Sequence, residues 1–184
     1  MKTHKDMERI LISKEEIDKR VAELGKEISD DYRYKSTPLL ICILKGAVMF
    51  FADLVRAIDI DVNIEFMAIS SYGARTKTSG EVRLLKDLDT SVAGRNIIIV
   101  EDIVDSGVSL DYIMRMLRTR GAESVRICTL LSKPARRRVH IPIDYLGFEI
   151  PNEFIIGYGL DLDEKYRNLV DIGVYRQSEK SDEE

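Results

Sequence analysis

The spacing of hydrophobic positions changes several times along the chain. From Lys14 to about Asp30, Ile17, Val21, Leu24 and Ile28 recur three or four apart, which is the apolar face of a helix. Ser13 followed by Glu16 reads as the capping box that opens it. "PLLICIL" after Thr37 is short and continuously apolar, the pattern of a strand covered on both faces. "AVMFFADLVRAI" has the length and composition of the next helix, and "VNIEFMAIS" of the next strand. "NIIIV" from Asn96 is a further buried strand. "SLDYIMRMLRTR" follows as a helix with Ile113, Met114 and Leu117 on one side and Gly121 in place of a C-terminal cap. "SVRICTLL" is a strand again. This alternation predicts an α/β fold, a doubly wound and mainly parallel sheet with helices on both faces.

Two regions break the pattern. Residues 71 to 89, "SYGARTKTSGEVRLLKDLD", are polar with no sustained period, long for a connection in a compact domain. From Tyr145 the pattern is less regular, and "SEKSDEE" reads as a disordered acidic tail. With 184 residues, 45% hydrophobic and 33% charged, the chain suits one domain spanning 1–184 with a real core. A formal net charge of -4 argues against a dedicated nucleic-acid binder. Cys42 and Cys128 lie inside apolar runs without zinc spacing and read as buried thiols in a reducing compartment. "MKTHKDMERILIS" lacks an apolar signal core and no run is long enough to span a bilayer, so the expectation is a cytoplasmic protein with no membrane partner. His4 and His140 carry no ligand motif and read as surface residues.

The chemistry concentrates in "NIIIVEDIVDSGVSL", where a buried strand delivers Glu101, Asp102 and Asp105 to one turn. Ligands of open parallel sheets bind at the carboxyl ends of the strands. The helix start that follows offers free N–H groups and positive partial charge, which suits a phosphate. Gly107 permits a tight turn with close backbone approach, and Ser106 and Ser109 supply hydroxyls. Glu101 and Asp102 have the wrong sign for phosphate but suit sugar hydroxyls or a magnesium ion. Each residue alone reads better as an ordinary strand-end acid or helix cap; the whole run on one strand–turn–helix describes a site for a phosphorylated sugar with a charged leaving group. "GYGLDLDE" from Gly157 carries only two of the glycines of a dinucleotide fingerprint and opens no clear helix.

"VEDIVDSGVSL" resembles the phosphoribosyl-pyrophosphate signature of the type I phosphoribosyltransferases. "ILKGAVMFFADL", "SSYG", "LLSKPARR" and "GFEIPNEFIIGYGLDLDEKYRNL" follow the order of the hypoxanthine–guanine enzymes of that family, with Ser106 and Ser109 where threonine is often found. The resemblance implies transfer of a 5-phosphoribosyl group from phosphoribosyl pyrophosphate to a 6-oxopurine, with magnesium as cofactor, in purine salvage. It implies a homodimer or homotetramer. It also implies a core over about 13–147, a small hood from about 148–177 with N-terminal residues, a tail over about 178–184, and a mobile lid loop over residues 71 to 85.

Residue roles come from the same source. Asp105 would accept the purine proton, and Asp105, Ser106, Gly107, Val108 and Ser109 would cradle the 5′-phosphate. Glu101 and Asp102 would hold the ribose, directly or through the metal, and Asp161 would be a further metal carboxylate. Lys45 and Gly46 would bind pyrophosphate through a loop that often contains a non-proline cis bond, and Arg167 through its guanidinium. Lys133 would face the purine O6, the Phe154 ring would stack on the base, and the Ile155 backbone would meet its edge. Ser71 and Tyr72 would open the lid. Without the resemblance, Lys45 and Arg167 read as solvated side chains, Phe154 and Ile155 as core, and Lys133 as the head of the basic run "KPARRR".

Two other function classes remain in view. A non-catalytic regulator of the same fold would sense phosphoribosyl pyrophosphate without releasing pyrophosphate. A phospho-accepting receiver domain also pairs strand-end acids with a later lysine, but there the pair ends the first strand.

Overall fold

The computed structural model describes residues 4–71 and 82–176. The elements are β1 (Met7–Ile12), α1 (Lys14–Tyr32), β2 (Leu39–Leu44), α2 (Val48–Ala57), β3 (Asn63–Ser71), β4 (Val82–Lys86), β5 (Asn96–Val104), α3 (Val108–Thr119) and β6 (Ser124–Ser132). A single 3₁₀ turn at Pro134–Arg136 precedes β7 (Tyr145–Glu149), β8 (Ile155–Ile156) and β9 (Ile172–Tyr175). The main sheet has the order β4-β3-β2-β5-β6-β7, parallel throughout except for the antiparallel edge strand β4. The α/β sheet expected from the apolar pattern is present.

The continuous apolar strands are explained by two cores. On one face, Leu40, Cys42, Ile98, Val100, Cys128 and Leu130 pack against α1 and α2 through Ile17, Leu24, Ile28, Phe50 and Leu54. The alternate residues Leu39, Ile41, Ile43, Ile97, Ile99 and Ile127 meet Leu110, Ile113, Met114 and Leu117 of α3 on the other. Side chains alternate across a strand, so a strand covered on both faces has no polar position to show. The capping box is present: the Ser13 hydroxyl accepts from the Glu16 N–H, and the Ser13 N–H donates to the Glu16 carboxylate. α3 ends as expected at Gly121, whose N–H donates to the Arg118 carbonyl while Ala122 N–H reaches Leu117, the paired bonds of a Schellman cap.

Three features depart from the expectations. Residues 82–86, read as loop, form β4 and pair with β3, so the end of the expected lid is an edge strand. Its alternation is masked because Arg83 and Lys86 sit among the leucines on a solvent-facing edge. The rest of the expected lid, residues 72–81 with Tyr72, lies outside the described residues, as does the expected disordered tail from 178. β5 does not stop at Val100: Glu101 pairs with Thr129 and Val104 with Ser132, so the two acids stand on the strand rather than in the turn. β1, too short and too charged to show a period, joins β9 and β8 in a separate antiparallel sheet. Ile12, Ile155 and Ile172 of that small sheet share the core of α1 and α2, which fixes it to the main body. Among the described residues no helix is long and apolar enough to cross a membrane.

Candidate active site

Three segments meet at the carboxyl edge of the main sheet. β2 ends in a cis peptide bond between Leu44 and Lys45, followed by Gly46. A Cβ on Gly46 would overlap the Asp102 carboxylate of β5, and a Cβ on Gly159 would overlap the Gly46 carbonyl. Gly46 is therefore sandwiched between the end of β5 and the loop before β9, and any larger residue there would push the segments apart. Lys45 points outward, its ammonium paired with the Glu164 carboxylate at 3.0 Å. That pairing holds the Glu164 carboxyl below the usual range.

Glu101 and Asp102 are only partly exposed and lie against one another. Burial, then the neighbouring Asp102 charge, pushes the Glu101 carboxyl well above the ordinary range. Burial also raises Asp102, against the opposing effects of its hydrogen bonds and of Arg167. Asp102 Oδ1 accepts from the Ile103 N–H at 2.8 Å. Two acids in this state share protons or need a cation. Burial, with the same charges behind it, pushes the Cys42 thiol up to about 12; burial raises Cys128 as well, so both thiols are inert.

After β5 the chain turns at Asp105–Gly107. Gly107 is the N-cap of α3 at φ 84°, a left-handed conformation that glycine adopts without strain, and a Cβ there would meet the Val139 carbonyl at 2.9 Å. The Ser106 carbonyl accepts from Arg138 and Val139 N–H at 2.9 and 3.2 Å, pinning the turn to the segment behind it. The Ser106 hydroxyl accepts from Val108 N–H at 3.4 Å, and Ser109 lies in the first turn of the helix. The first N–H groups of α3 thus open onto the same edge. Asp105 Oδ1 faces Arg136 Nε at 2.9 Å in an ion pair without hydrogen-bond alignment. Arg137 donates to the Ser132 hydroxyl at 2.8 Å, but its Nε is buried without a partner.

Lys133, at the end of β6, is 8% exposed, and its ammonium donates to the Glu153 carbonyl at 2.7 Å. Burial lowers its pKa, and the nearby Asp105 charge opposes that. A solvated lysine is thereby excluded. Of the two residues that could have been core, Ile155 is buried and paired with Val174, whereas Phe154 is 44% exposed. The Phe154 ring meets the edge of Tyr175 at 5.9 Å, leaving the rest of its surface open.

The loop "GYGLDLDEKYRNL" folds into two tight turns rather than a helix. Gly157 bridges Leu160 and Leu162 bridges Lys165, with positive φ at Tyr158 and Gly159 and at Asp163 and Glu164, as two-residue type I′ turns require. Arg167 closes the loop by donating to the Gly159 carbonyl at 2.8 Å and pairing with Asp161 at 2.9 Å; its Nε is buried without a partner. Arg167 is therefore held rather than solvated. Asp161 also accepts from the Glu164 N–H at 2.9 Å. Among the described residues no three acids, histidines or cysteines gather to hold a metal, so Asp161 does not form a cage with Glu101 and Asp102. Ser71 ends β3, and Tyr72 lies outside the described residues. Reading the sequence did not single out Arg136, Arg137, Gly159 or Glu153; the run "KPARRR" was a signal for the two arginines, and nothing local marked the others.

The model of the phosphoribosyl transferase domain matches residues 11–163. The chain is 52% identical over 182 residues to the hypoxanthine-guanine phosphoribosyltransferase of Mycobacterium avium, covering 94% of this chain and 90% of that protein. It is 52% identical over 171 residues to the enzyme of the same name from Bacillus subtilis, covering 93% and 94%. Among solved structures, a hypoxanthine phosphoribosyl transferase of Trypanosoma cruzi superposes with a TM-score of 0.90 at 43% identity over 96% of this chain and 95% of that one. A hypoxanthine phosphoribosyltransferase of Staphylococcus aureus gives 0.88 at 42% identity, covering 94% and 93%.

Proposed function

The chain belongs to the phosphoribosyltransferase family, and from that premise we propose how its own residues carry out the transfer. The enzyme moves the 5-phosphoribosyl group from phosphoribosyl pyrophosphate to hypoxanthine or guanine, giving IMP or GMP and pyrophosphate in purine salvage. The bond from ribose C1 to the pyrophosphate oxygen breaks, a bond from C1 to a purine nitrogen forms, and the purine proton must leave. Catalysis is then a matter of aligning two partners and stabilising separating charge.

The observation that carries the residue reading is the convergence at one sheet edge of Asp105, buried Lys133, exposed Phe154 and the N-terminus of α3. The α3 start and the hydroxyls of Ser106 and Ser109 bind the 5′-phosphate. Asp105 takes the purine proton. Lys133 donates to the purine O6, Phe154 stacks on the ring, and the Ile155 backbone meets the base edge. Lys45, Gly46 and Arg167 hold the pyrophosphate, the unpartnered Arg167 Nε being a donor in wait for an acceptor.

Magnesium fits this edge. Glu101 and Asp102 form a partly buried acid pair with raised pKa values that a cation would relieve, and magnesium commonly takes one or two carboxylates with water and substrate phosphates. Asp161 would join on the pyrophosphate side. When bound, the ion would offset negative charge on the departing pyrophosphate. The assembly is a homodimer or homotetramer.

Pyrophosphate release with phosphoribosyl pyrophosphate and each of hypoxanthine, guanine, xanthine and adenine tests this reading. Release is expected with hypoxanthine and guanine and not with adenine. Binding of phosphoribosyl pyrophosphate without release under any base would make the protein a sensor.

A further inference from the structure

Glu153 is held at both ends by residues far away in the sequence. Its carboxylate is gripped by Arg9 of β1, whose Nη2 donates to both oxygens at 2.6 and 2.5 Å. Its main-chain carbonyl accepts from the Lys133 ammonium of β6 at 2.7 Å. The next residue is Phe154, the exposed ring of the base surface, and its carbonyl accepts from Tyr175 N–H at 2.8 Å. Arg9 pairs across the small sheet with Val174, which pairs in turn with Ile155. A single guanidinium on the first strand therefore anchors the short segment that carries the ring, the base-edge backbone and the acceptor that aims Lys133.

We propose that Arg9 is a positioning residue for the purine, acting through Glu153. The inference rests on the assignment of Lys133 and Phe154 to the base. Among the described residues the Arg9 side chain bonds only to Glu153, and to none of the residues assigned to the base or the sugar phosphate. An ammonium has three donors on a flexible stem. The Glu153 carbonyl occupies one and fixes the direction of the other two, which are then free for an oxygen of the base. Releasing the Glu153 carboxylate lets that carbonyl and the adjoining Phe154 ring drift together. The ends of β2 and β5 and the α3 turn are built from other segments, so sugar-phosphate binding is unaffected. The Arg9 and Glu153 side chains are about half and one third exposed, so the coupling is modest.

The test is initial-rate kinetics on the full-length enzyme with Arg9→Met, Arg9→Lys, Glu153→Gln, the Arg9→Met/Glu153→Gln double variant, and Lys133→Met as reference. Arg9→Met should raise KM for hypoxanthine about two- to five-fold, the range a partly exposed ion pair can carry. The KM for phosphoribosyl pyrophosphate and kcat should be unchanged. Glu153→Gln should give the same split, the double variant no more than either single change, and Arg9→Lys should recover part of the loss. Glu153→Gln carries the same test if Arg9→Met folds poorly. An unchanged base KM in Arg9→Met beside a raised one in Lys133→Met would overturn the clamp and leave the base site standing. Equal rises in both KM values, or additive effects in the double variant, would also overturn it. An unchanged base KM in Lys133→Met would remove the base-site assignment and the clamp with it.

Discussion

The two ends of the main sheet carry the same kinds of side chain under opposite electrostatic conditions. At the amino end, Arg126 pairs with Asp31, meets the Tyr145 hydroxyl at 2.7 Å, and lies over the Tyr32 and Tyr145 rings. The Tyr145 hydroxyl donates to Asp31 at 2.7 Å, and Asp144 accepts from the Ile127 N–H at 2.9 Å. Asn96 and Ser124 close the neighbouring strand starts with bonds of their own. At the carboxyl end, Glu101 and Asp102 are pushed up by burial, and three buried atoms, Asp105 Oδ1, Arg137 Nε and Arg167 Nε, lack hydrogen-bond partners. They are the only such side-chain atoms among the described residues. Buried polar groups are ordinarily satisfied, so exceptions gathered at one edge stand apart from the rest of the fold. The proposed function accounts for the contrast: the amino end is closed by bonds within the protein, and the carboxyl end is where the ligand is proposed to bind.

The largest effect should come from removing what the carboxyl end waits for. Excess chelator should abolish turnover; full activity without a divalent ion would remove magnesium from the account. Asp105→Asn comes next. Loss of a general base is typically worth ~10²–10⁴ in rate. The ion pair that the mutation breaks is half exposed and contributes little to stability. A fall in kcat with an unshifted thermal midpoint is therefore expected, and turnover within a factor of about three of wild type would remove Asp105 from the role.

Lys133→Met ranks third. A charge-assisted bond to O6 is worth roughly 1.5–3 kcal/mol, or ~10- to 150-fold in KM for a 6-oxopurine. The same ammonium facing the amino group of adenine has no acceptor and stays desolvated. Steady-state kinetics with hypoxanthine, guanine and adenine read this directly. Normal oxopurine binding in the variant, or efficient use of adenine by the wild type, would show that the carboxyl end does not select the base through Lys133.

How much of this contrast was legible in the chain follows from where each signal is stored. The parallel sheet was readable because strands buried on both faces leave continuous apolar runs such as "LLICIL" and "NIIIV". The α1 boundary was readable because Ser13 and Glu16 cap it locally. β1 and β4 were not, since an exposed edge tolerates charge and erases the alternation. The acids of β5 drew attention as a charge run but read as a turn, because nothing local shows that Thr129 and Leu131 extend the ladder past Val100. Phe154 and Arg167 gave no physical signal of their own and came only from the resemblance; Lys133 was marked by its place directly after the strand "SVRICTLLS", but not by its role. Their burial or exposure depends on contacts made across the fold. The Arg126 network was invisible for the same reason: Asp31, Arg126 and Tyr145 meet only when α1, β6 and β7 are assembled.

Arg126→Leu should invert the pattern of the Asp105 variant. It removes a charged donor from Asp31 and Tyr145 and should cost about 1–2 kcal/mol, somewhat below a fully buried charged hydrogen bond because the guanidinium is about one third exposed. At this chain length that is a fall of roughly 2–4 °C in thermal midpoint per kcal/mol. The kcat and both KM values should stay at wild type when measured well below the transition. A kinetic defect of more than about two-fold, beyond what a remote surface pair can carry, would mean that the two ends of the sheet are not separable.

The smallest effect is a pH dependence at the amino end. The Tyr145 hydroxyl, and then Arg126, hold the Asp31 carboxyl below its ordinary value against its partial burial. The folded pKa therefore lies below the unfolded value of about 3.9. Above that value both states are ionised and the full stabilisation is present. As pH falls, the unfolded chain takes up the proton first, and the contribution drains away through the folded pKa. Asp31→Asn has no proton to take up. Denaturant unfolding of the two proteins should thus differ most near neutral pH, with the gap narrowing from about pH 5 downward. Because Asp31 is nearly half exposed, the gap is small and is best measured at low salt. A gap that stays constant to about pH 3 would mean that Asp31 stabilises by shape and not by charge.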